Sequence, residues 1–143
     1  MVIPDVNVLI NALHTESPRH AEARAWLTKA LQDGDRLGLL DVVATGVVRI
    51  TTNARVFKKP LSTDQAIGAI ETIMGSSSAV LIHGSSLSWE IFSELTRSYQ
   101  FHAADIPDAW IAANVIAEEA TLVSDDKGFA RFDDLDWMPA RWR

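Results

Sequence analysis

The chain has 143 residues, 48% of them hydrophobic and 22% charged, which is typical of one globular domain with a single core. It contains no cysteine, and this excludes a disulfide framework, thiol catalysis and zinc sites built on cysteine. The formal net charge of −6 argues against a simple basic nucleic-acid binder. It leaves open an enzyme that approaches phosphates through cations held by its acidic residues.

The expected organisation is one domain over residues 1–143. No apolar run reaches the roughly 18 residues that span a membrane. The beginning of the chain also lacks the basic start and apolar segment of a signal peptide. We therefore expect a cytoplasmic protein with no membrane partner.

Residues 1–10 form an apolar, β-branched run of strand length that is interrupted by Asp5. A charge inside a buried strand is costly unless it is paired, hydrogen-bonded or bound to a metal. If Asp5 lies where the strand leaves the sheet, it faces the crevice in which open α/β sheets bind ligands. A carboxylate that caps a helix or is satisfied within the core is the alternative interpretation.

Beyond this run, the hydrophobic periodicity and the turn signals predict alternating helices and strands. Ser17 and Pro18 fit the start of a helix that residues 33–35 end. Residues 41–52 fit either a helix or a strand, and Asp41 as N-cap favours the helix. The other predicted elements are strands at 37–40, 79–82 and 120–123, a loop at 53–60, and helices at 62–74 and 86–99. This alternation predicts an α/β fold with a central parallel sheet and helices on both faces.

Two acids surround the start of a further predicted helix. Pro107 fits the first helical position, which places Asp108 in the first turn and Asp105 just outside it. Free N–H groups and the helix dipole favour anions at this end, so capping is one explanation for both acids. Two acids within four residues exceed what a single cap needs, and they are candidates for a site at the end of the sheet.

A third acid follows the strand at 120–123, which ends in a hydroxyl group, Ser124, and two carboxylates, the second being Asp126. In a parallel sheet the end of this strand and the end of the first strand lie on the same edge. We therefore expect Asp5, Asp108 and Asp126 to come together. Oxygen ligands of this kind suit a hard divalent cation, which activates water and neutralises a phosphate.

The segment around residue 53 carries the densest positive charge in this acidic chain. Its members are Arg49, Arg55, Lys58 and Lys59. A solvated loop is one interpretation of this cluster. A patch that faces the phosphates of a bound nucleic acid is the other.

Several motifs occur together in a characteristic order. They are Asp5 followed by Asn7, the pattern DxxDAxxAA at 105–113, and the pattern DDxxFxRF at 125–132, which Ser124 precedes. Residues 49–57 add a further similar stretch. With this order, spacing and length, essentially the whole chain resembles a PIN domain, and more narrowly a VapC-type toxin of a type II toxin–antitoxin pair.

The resemblance implies an endoribonuclease that depends on Mg²⁺ or Mn²⁺ and hydrolyses RNA phosphodiester bonds. It also implies a homodimer and inhibition by a VapB-type antitoxin. By position, Asp5, Asp108 and Asp126 match the catalytic, metal-binding acids of the family. Asn7 and Ser124 match polar neighbours that support such a site.

The chain departs from the family pattern at two positions. Many PIN domains have a glutamate at the place matched to Val47 and a further aspartate at the place of Gly128. The resemblance therefore predicts a lean metal site in which Asp105 or Asp125 serves as a substitute ligand.

Two alternatives to the nuclease remain at this stage. The missing glutamate is compatible with a non-catalytic interaction module that keeps the PIN fold. A receiver-type phosphoacceptor domain also has an acidic pocket, but it needs paired acids after the first strand, where this chain has Val6 and Asn7 after Asp5. For assembly, Trp137, Met138 and Trp142 are large apolar residues that pack either against the chain's own core or against a second copy.

Overall fold

The computed structural model describes residues 1–140 of the chain. Its helices and strands alternate along most of the sequence. In chain order they are β1 (Val2–Pro4), α1 (Val6–Leu13), α2 (His20–Gln32), β2 (Leu37–Leu40), α3 (Asp41–Thr51), α4 (Thr63–Met74), β3 (Ala79–Ile82), α5 (Ser86–Tyr99), α6 (Asp105–Ala117), β4 (Thr121–Val123), a short 3₁₀ helix (Lys127–Arg131) and β5 (Trp137–Met138).

Within the described residues the five strands form one parallel sheet in the order β3-β2-β1-β4-β5. The connections from β1 to β2 to β3 run in one direction across the sheet, and the connection from β3 to β4 runs back. Right-handed crossovers then place α1 to α4 on one face and α5 and α6 on the other. Accordingly, α1 contacts α2 and α3, while α5 contacts α6. The predicted α/β architecture is confirmed.

The core lies between the sheet and these two helical layers. Ile3 and Leu122, from the two adjacent central strands, are completely buried. On α6, Ala109, Ala112 and Ala113 are also completely buried. Such small side chains let a helix lie close to a sheet, and this brings the first turn of α6 toward the carboxyl ends of β1 and β4.

The expectation of a strand-like run over residues 1–10 is wrong after Pro4. Asp5 caps a new helix, α1, which buries Val8 and Leu9 on its inner face. β-branched residues lower helix propensity only slightly, so tertiary packing of this apolar face overrides the local preference. The position of Asp5 at the exit of the first strand is confirmed.

Two helix starts also differ from the predictions. Helix α2 begins at His20, because Ser17 is buried in a turn and provides no cap. Helix α6 begins at Asp105, which therefore lies inside the first turn together with Asp108. The helix over residues 41–51 and the capping box at the start of α4 are confirmed.

The end of the described chain packs against the domain itself. Trp137 and Met138 form β5, and both are half-buried against core residues. Trp142 lies outside the described residues. No helix within residues 1–140 is long and apolar enough to cross a membrane.

Candidate active site

The centre of the site is a buried hydrogen bond between the ends of two adjacent strands. Asp5 follows β1 and Ser124 follows β4, which pairs with β1 up to Pro4 and Val123. Ser124 donates its hydroxyl proton to Asp5 Oδ2 at 2.8 Å. The N–H group of Val6 donates to Asp5 Oδ1 at 2.7 Å. Asp5 is only 6% exposed, so the fold fixes both of its oxygens at the carboxyl edge of the sheet.

Asp126 joins this centre through the same hydroxyl group. Its backbone N–H donates to Ser124 Oγ at 3.1 Å. Its carboxylate Oδ1 accepts the N–H group of Gly128 at 2.8 Å and so caps the 3₁₀ helix. Ser124 therefore links Asp5 to Asp126, which were expected to meet because their strands end on one edge.

The acids of α6 are joined to this segment by an arginine. Arg131 Nη2 lies 3.1 Å from Asp108 Oδ2 and 3.5 Å from Asp105 Oδ1. Arg131 Nη1 donates to the carbonyl oxygen of Gly128. An unbroken series of polar contacts thus connects Asp5 to Asp108.

The electrostatics of Asp5 reflect this arrangement. Burial is the largest influence and raises the pKa of the Asp5 carboxyl group. The hydrogen bonds from Ser124 and Val6 oppose this rise, and the negative charges of Asp108 and Asp126 add to it. The three predicted acids are therefore close enough for two of them to disfavour ionisation of the third.

The donor set is suited to a hard cation by its chemistry, because its members are carboxylate and hydroxyl oxygens. Within residues 1–140, however, no three acidic or histidine side chains converge closely enough to enclose a metal ion. The Asp108 and Asp126 carboxylates are directed to Arg131 and Gly128. Asp5, Asp108, Asp126 and Asp105 thus match a hard cation by the chemistry of their oxygens, although their carboxylates do not enclose a common position in this arrangement.

Two further predicted residues have different surroundings. Asn7 is exposed in the first turn of α1, two residues after Asp5. Asp125, a predicted substitute ligand, accepts the backbone N–H of Ala140 at 3.2 Å and so holds the segment that follows β5. Asp105 is therefore better placed than Asp125 to serve the site, because it shares Arg131 with Asp108.

The predicted basic patch lies at the opposite end of α1 from Asp5. The Glu16 carboxylate accepts the backbone N–H groups of Lys58 and Lys59 at 3.0 and 2.7 Å. His14, which follows α1, stacks on Phe57 at 3.7 Å and hydrogen-bonds the Lys59 carbonyl oxygen at 3.0 Å. With eight helical residues between them, the two ends of α1 are about 12 Å apart.

The cationic side chains of this patch point to solvent. Arg55, Lys58 and Lys59 are all exposed. Arg49 is exposed in the last turn of α3 and forms no ion pair within the described residues. The structure therefore does not bring these cations to the acidic edge of the sheet. A nucleic acid that contacts the basic patch would do so with a different part of its chain from the part at the acids.

The two departures from the family pattern have structural counterparts. Val47 is 1% exposed within the main core, where a glutamate would bury an unpaired charge. At Gly128, a Cβ atom would lie 2.8 Å from Arg131 Nη1 and 3.0 Å from Asp126 Oδ1. The absence of a side chain at 128 thus leaves room for the guanidinium group.

Arg131 was not among the site residues predicted from the sequence. The only hint in the sequence is that Arg131 stands beside Phe132 in a segment that is otherwise rich in acids. The role of this arginine depends on where the 3₁₀ helix directs the side chain, which local sequence patterns do not specify.

Comparisons with known proteins identify the family of this chain. A PIN domain model matches residues 2–135. The VapC ribonuclease Mb2897 of Mycobacterium bovis is 36% identical over 137 residues, covering 96% of this chain and 93% of that protein. Ribonuclease VapC37 of Mycobacterium tuberculosis is 32% identical over 137 residues, covering 96% and 95%.

Solved structures share the fold. VapBC2 from Rickettsia felis, bound to a DNA fragment from its promoter, superposes with a TM-score of 0.68 at 19% identity and covers 97% of this chain and 98% of its own. The sarcin-ricin loop cleaving toxin VapC20 of Mycobacterium tuberculosis superposes with a TM-score of 0.67 at 13% identity, covering 93% and 95%. The chain belongs to the PIN domain family, and within it to the VapC ribonucleases.

Proposed function

We propose that this protein is an endoribonuclease that hydrolyses RNA phosphodiester bonds and acts as the toxin of a toxin–antitoxin pair. The observation that carries the proposal is the hydrogen-bonded series from Asp5 through Ser124 to Asp126, with the charge of Asp108 acting on Asp5. Acids held together in this way are costly for the fold. A catalytic role accounts for that cost.

Mg²⁺ or Mn²⁺ is the proposed cofactor, with Asp5, Asp108 and Asp126 as its ligands and Asp105 beside them. When bound, such a cation lowers the pKa of a coordinated water and offsets the negative charge that develops on the phosphate. The chain's own contribution is orientation. Ser124 holds one oxygen of Asp5, and the Val6 N–H group holds the other, so that the carboxylate has a single arrangement.

The exposure of the acids differs in a way that suits this role. Asp5 is nearly inaccessible, whereas the Asp108 side chain is 29% exposed and Asp126 lies at the surface. An RNA phosphate can therefore approach Asp108 and Asp126 from solvent, while Asp5 forms the floor of the site. With a net charge of −6, the protein relies on bound cations and local basic groups for this approach.

The test is cleavage of RNA by the purified protein in Mg²⁺, in Mn²⁺ and in excess EDTA. We expect cleavage with either metal and none in EDTA. Asp108→Asn should lower the rate by about a hundredfold or more, as expected when the cation that stabilises the transition state loses one of its ligands. Asp64→Asn is the matched control, since Asp64 is an exposed acid in the first turn of α4, and it should cleave normally. Cleavage that persists in EDTA would contradict the metal dependence, and absence of cleavage in every condition would favour the non-catalytic interaction module.

A VapB-type antitoxin and a second copy of the chain are the proposed protein partners. Large apolar side chains are exposed on two helical surfaces and are available for such contacts. They are Val42, Ile67 and Met74 on α3 and α4, and Leu87 and Trp89 on α5.

Sedimentation of the isolated protein at micromolar concentration should show a dimer, and a monomer would contradict this assembly. Co-expression with a VapB-type protein should abolish cleavage, and full activity of a stable complex would contradict the inhibitory partner.

A further inference from the structure

Arg131 lies inside the acidic site rather than on the open surface. Its guanidinium group is the cation that pairs with Asp108, through Nη2 and Oδ2 at 3.1 Å. The same nitrogen is 3.5 Å from Asp105. About a third of the side chain is exposed. Two of the acids proposed to bind a divalent cation are therefore already neutralised in part by a positive charge of the chain.

The seat of this guanidinium group is formed by several independent features. The group lies over the Phe132 ring at 4.7 Å and near the Phe101 ring at 5.6 Å. It also donates to the Gly128 carbonyl oxygen. A side chain at 128 would collide with it, because an added Cβ would lie 2.8 Å from Nη1.

One atom of the side chain is poorly satisfied in this seat. Arg131 Nε is buried and has no hydrogen-bond partner within residues 1–140. A buried donor without an acceptor is unfavourable. The attraction of Asp108 and Asp105 offsets this cost. The guanidinium group therefore keeps this position mainly because those two carboxylates are available to pair with it.

We propose that Arg131 is an internal counter-ion of the acidic site and competes with the divalent cation for Asp108. This inference rests on the proposed function, since it takes Asp108 to be a metal ligand. Without metal, the guanidinium group relieves repulsion among the acids. When a divalent cation binds the same carboxylates, the two positive charges repel each other and Arg131 turns out toward solvent. Arg131 is thus a positioning residue that lowers the affinity for metal and stabilises the metal-free protein.

The decisive experiment compares Mn²⁺ and Mg²⁺ binding to the wild-type protein and to Arg131→Gln by calorimetry, with Mn²⁺ electron paramagnetic resonance as a second measurement. We expect Arg131→Gln to bind metal about threefold to tenfold more tightly, the size expected for a partly exposed charge interaction. Arg97→Gln is the matched control, because Arg97 is exposed on α5 and the net charge changes equally. Its metal affinity should equal that of the wild type.

A further variant separates the shape of the side chain from its charge. Arg131→Lys keeps the charge without the planar fork, and its affinity should lie between those of the wild type and Arg131→Gln. In excess EDTA, Arg131→Gln should unfold at a lower temperature than the wild type. A residue with a merely structural role would lose stability without any gain in metal affinity.

The outcomes distinguish this inference from the proposed function. Equal or weaker metal binding by Arg131→Gln, alongside measurable binding by the wild type that Asp5→Asn abolishes, would overturn the inference and leave the metal-dependent nuclease intact. Failure of both the wild type and Arg131→Gln to bind either metal would overturn both. Tighter binding by Arg131→Gln, together with an affinity of Arg131→Lys equal to that of the wild type, would overturn the assignment to the observed position of the guanidinium group.

Discussion

Helix α1 has a carboxylate near each end, and the two have opposite electrostatic surroundings. At its start, burial raises the pKa of Asp5, and the charges of Asp108 and Asp126 raise it further. Just past its end, Glu16 accepts two backbone N–H groups. The hydrogen bond from Lys59 is the main cause that lowers the pKa of this carboxyl group.

This difference separates a functional acid from a structural one. The fold is less stable when Asp5 is ionised, because the native state favours its protonated form. The fold is more stable when Glu16 is ionised, because the loop at 57–59 depends on its charge. A carboxylate retained against stability indicates a site, whereas one that contributes to stability indicates scaffolding.

The largest expected effect is on RNA cleavage by variants at the two ends of α1. Asp5→Asn should lower the cleavage rate by about a hundredfold or more, since it removes a charge from the reacting site. Glu16→Gln is its natural counterpart and should cleave within about threefold of the wild type, because any effect arises through the loop alone. Single-turnover cleavage of one RNA measures both. Equal losses in the two variants would contradict the distinction between a functional and a structural end.

The second effect concerns RNA binding by the loop that Glu16 holds. Reversal of Arg55, Lys58 and Lys59 to Glu should weaken RNA binding by about tenfold. The slope of its salt dependence should flatten by roughly 0.7 for each RNA phosphate that the loop no longer neutralises. Metal affinity should hardly change, since α1, about 12 Å long, separates the loop from Asp5, and exposed charges are largely screened beyond about 8–10 Å at physiological salt.

A control for this triple variant reverses three exposed cations elsewhere in the chain. They are Arg24, Lys29 and Arg97. If the two triple variants bind RNA equally well at every salt concentration, the loop is only a solvated segment and has no specific part in binding.

The third effect is on stability and its pH dependence. The pKa of Asp5 is raised in the native state, so its contribution to stability is present below its ordinary value of 3.8 and is lost as the pH rises through the raised value. Asp5→Asn should therefore be more stable than the wild type at neutral pH, by on the order of 1 kcal/mol. Urea denaturation from about pH 3 to pH 7 should show the difference growing with pH. A variant that is less stable at neutral pH would show that Asp5 is structural.

The smallest expected effect is on the loop at 57–59, where the contribution of Glu16 to stability depends on pH in the opposite direction to that of Asp5. Because the pKa of Glu16 is lowered, its stabilising contribution is present above the ordinary value of 4.5 and is lost as the pH falls through the lowered value. The amide proton signals of Lys58 and Lys59 should shift together in acid as Glu16 titrates, and this shift should be absent in Glu16→Gln. Amide signals that do not respond to pH would exclude this carboxylate as the anchor of the loop.

The sequence allowed the acidic edge to be predicted, because it depends on where strands end. Apolar runs followed by Asp5 and Asp126 place both residues at the carboxyl edge of a parallel sheet whatever the details of the loops. Asp108 follows from the start of α6. The positions of these three acids follow from local sequence patterns and from the topology of a parallel sheet, and both can be inferred from a single sequence.

Other features depended on contacts between distant segments. Helix α1 was missed because its β-branched residues suit a strand and only packing decides between them. The position of the basic loop follows from Glu16, which lies 42 residues before Lys58. The seat of Arg131 depends on the course of the chain after β4, including the close approach that Gly128 permits.

The hydrogen bond between Ser124 and Asp5 joins residues that are 119 positions apart. Ribosomes synthesise Asp5 early and Ser124 much later, so a growing chain has the first acid long before the residues that complete the site. The unfinished chain also lacks β4, which is the partner of β1 at the centre of the sheet. A nuclease built in this order cannot assemble its active centre while most of the domain is still untranslated, so the site is complete only when synthesis of the domain is almost finished.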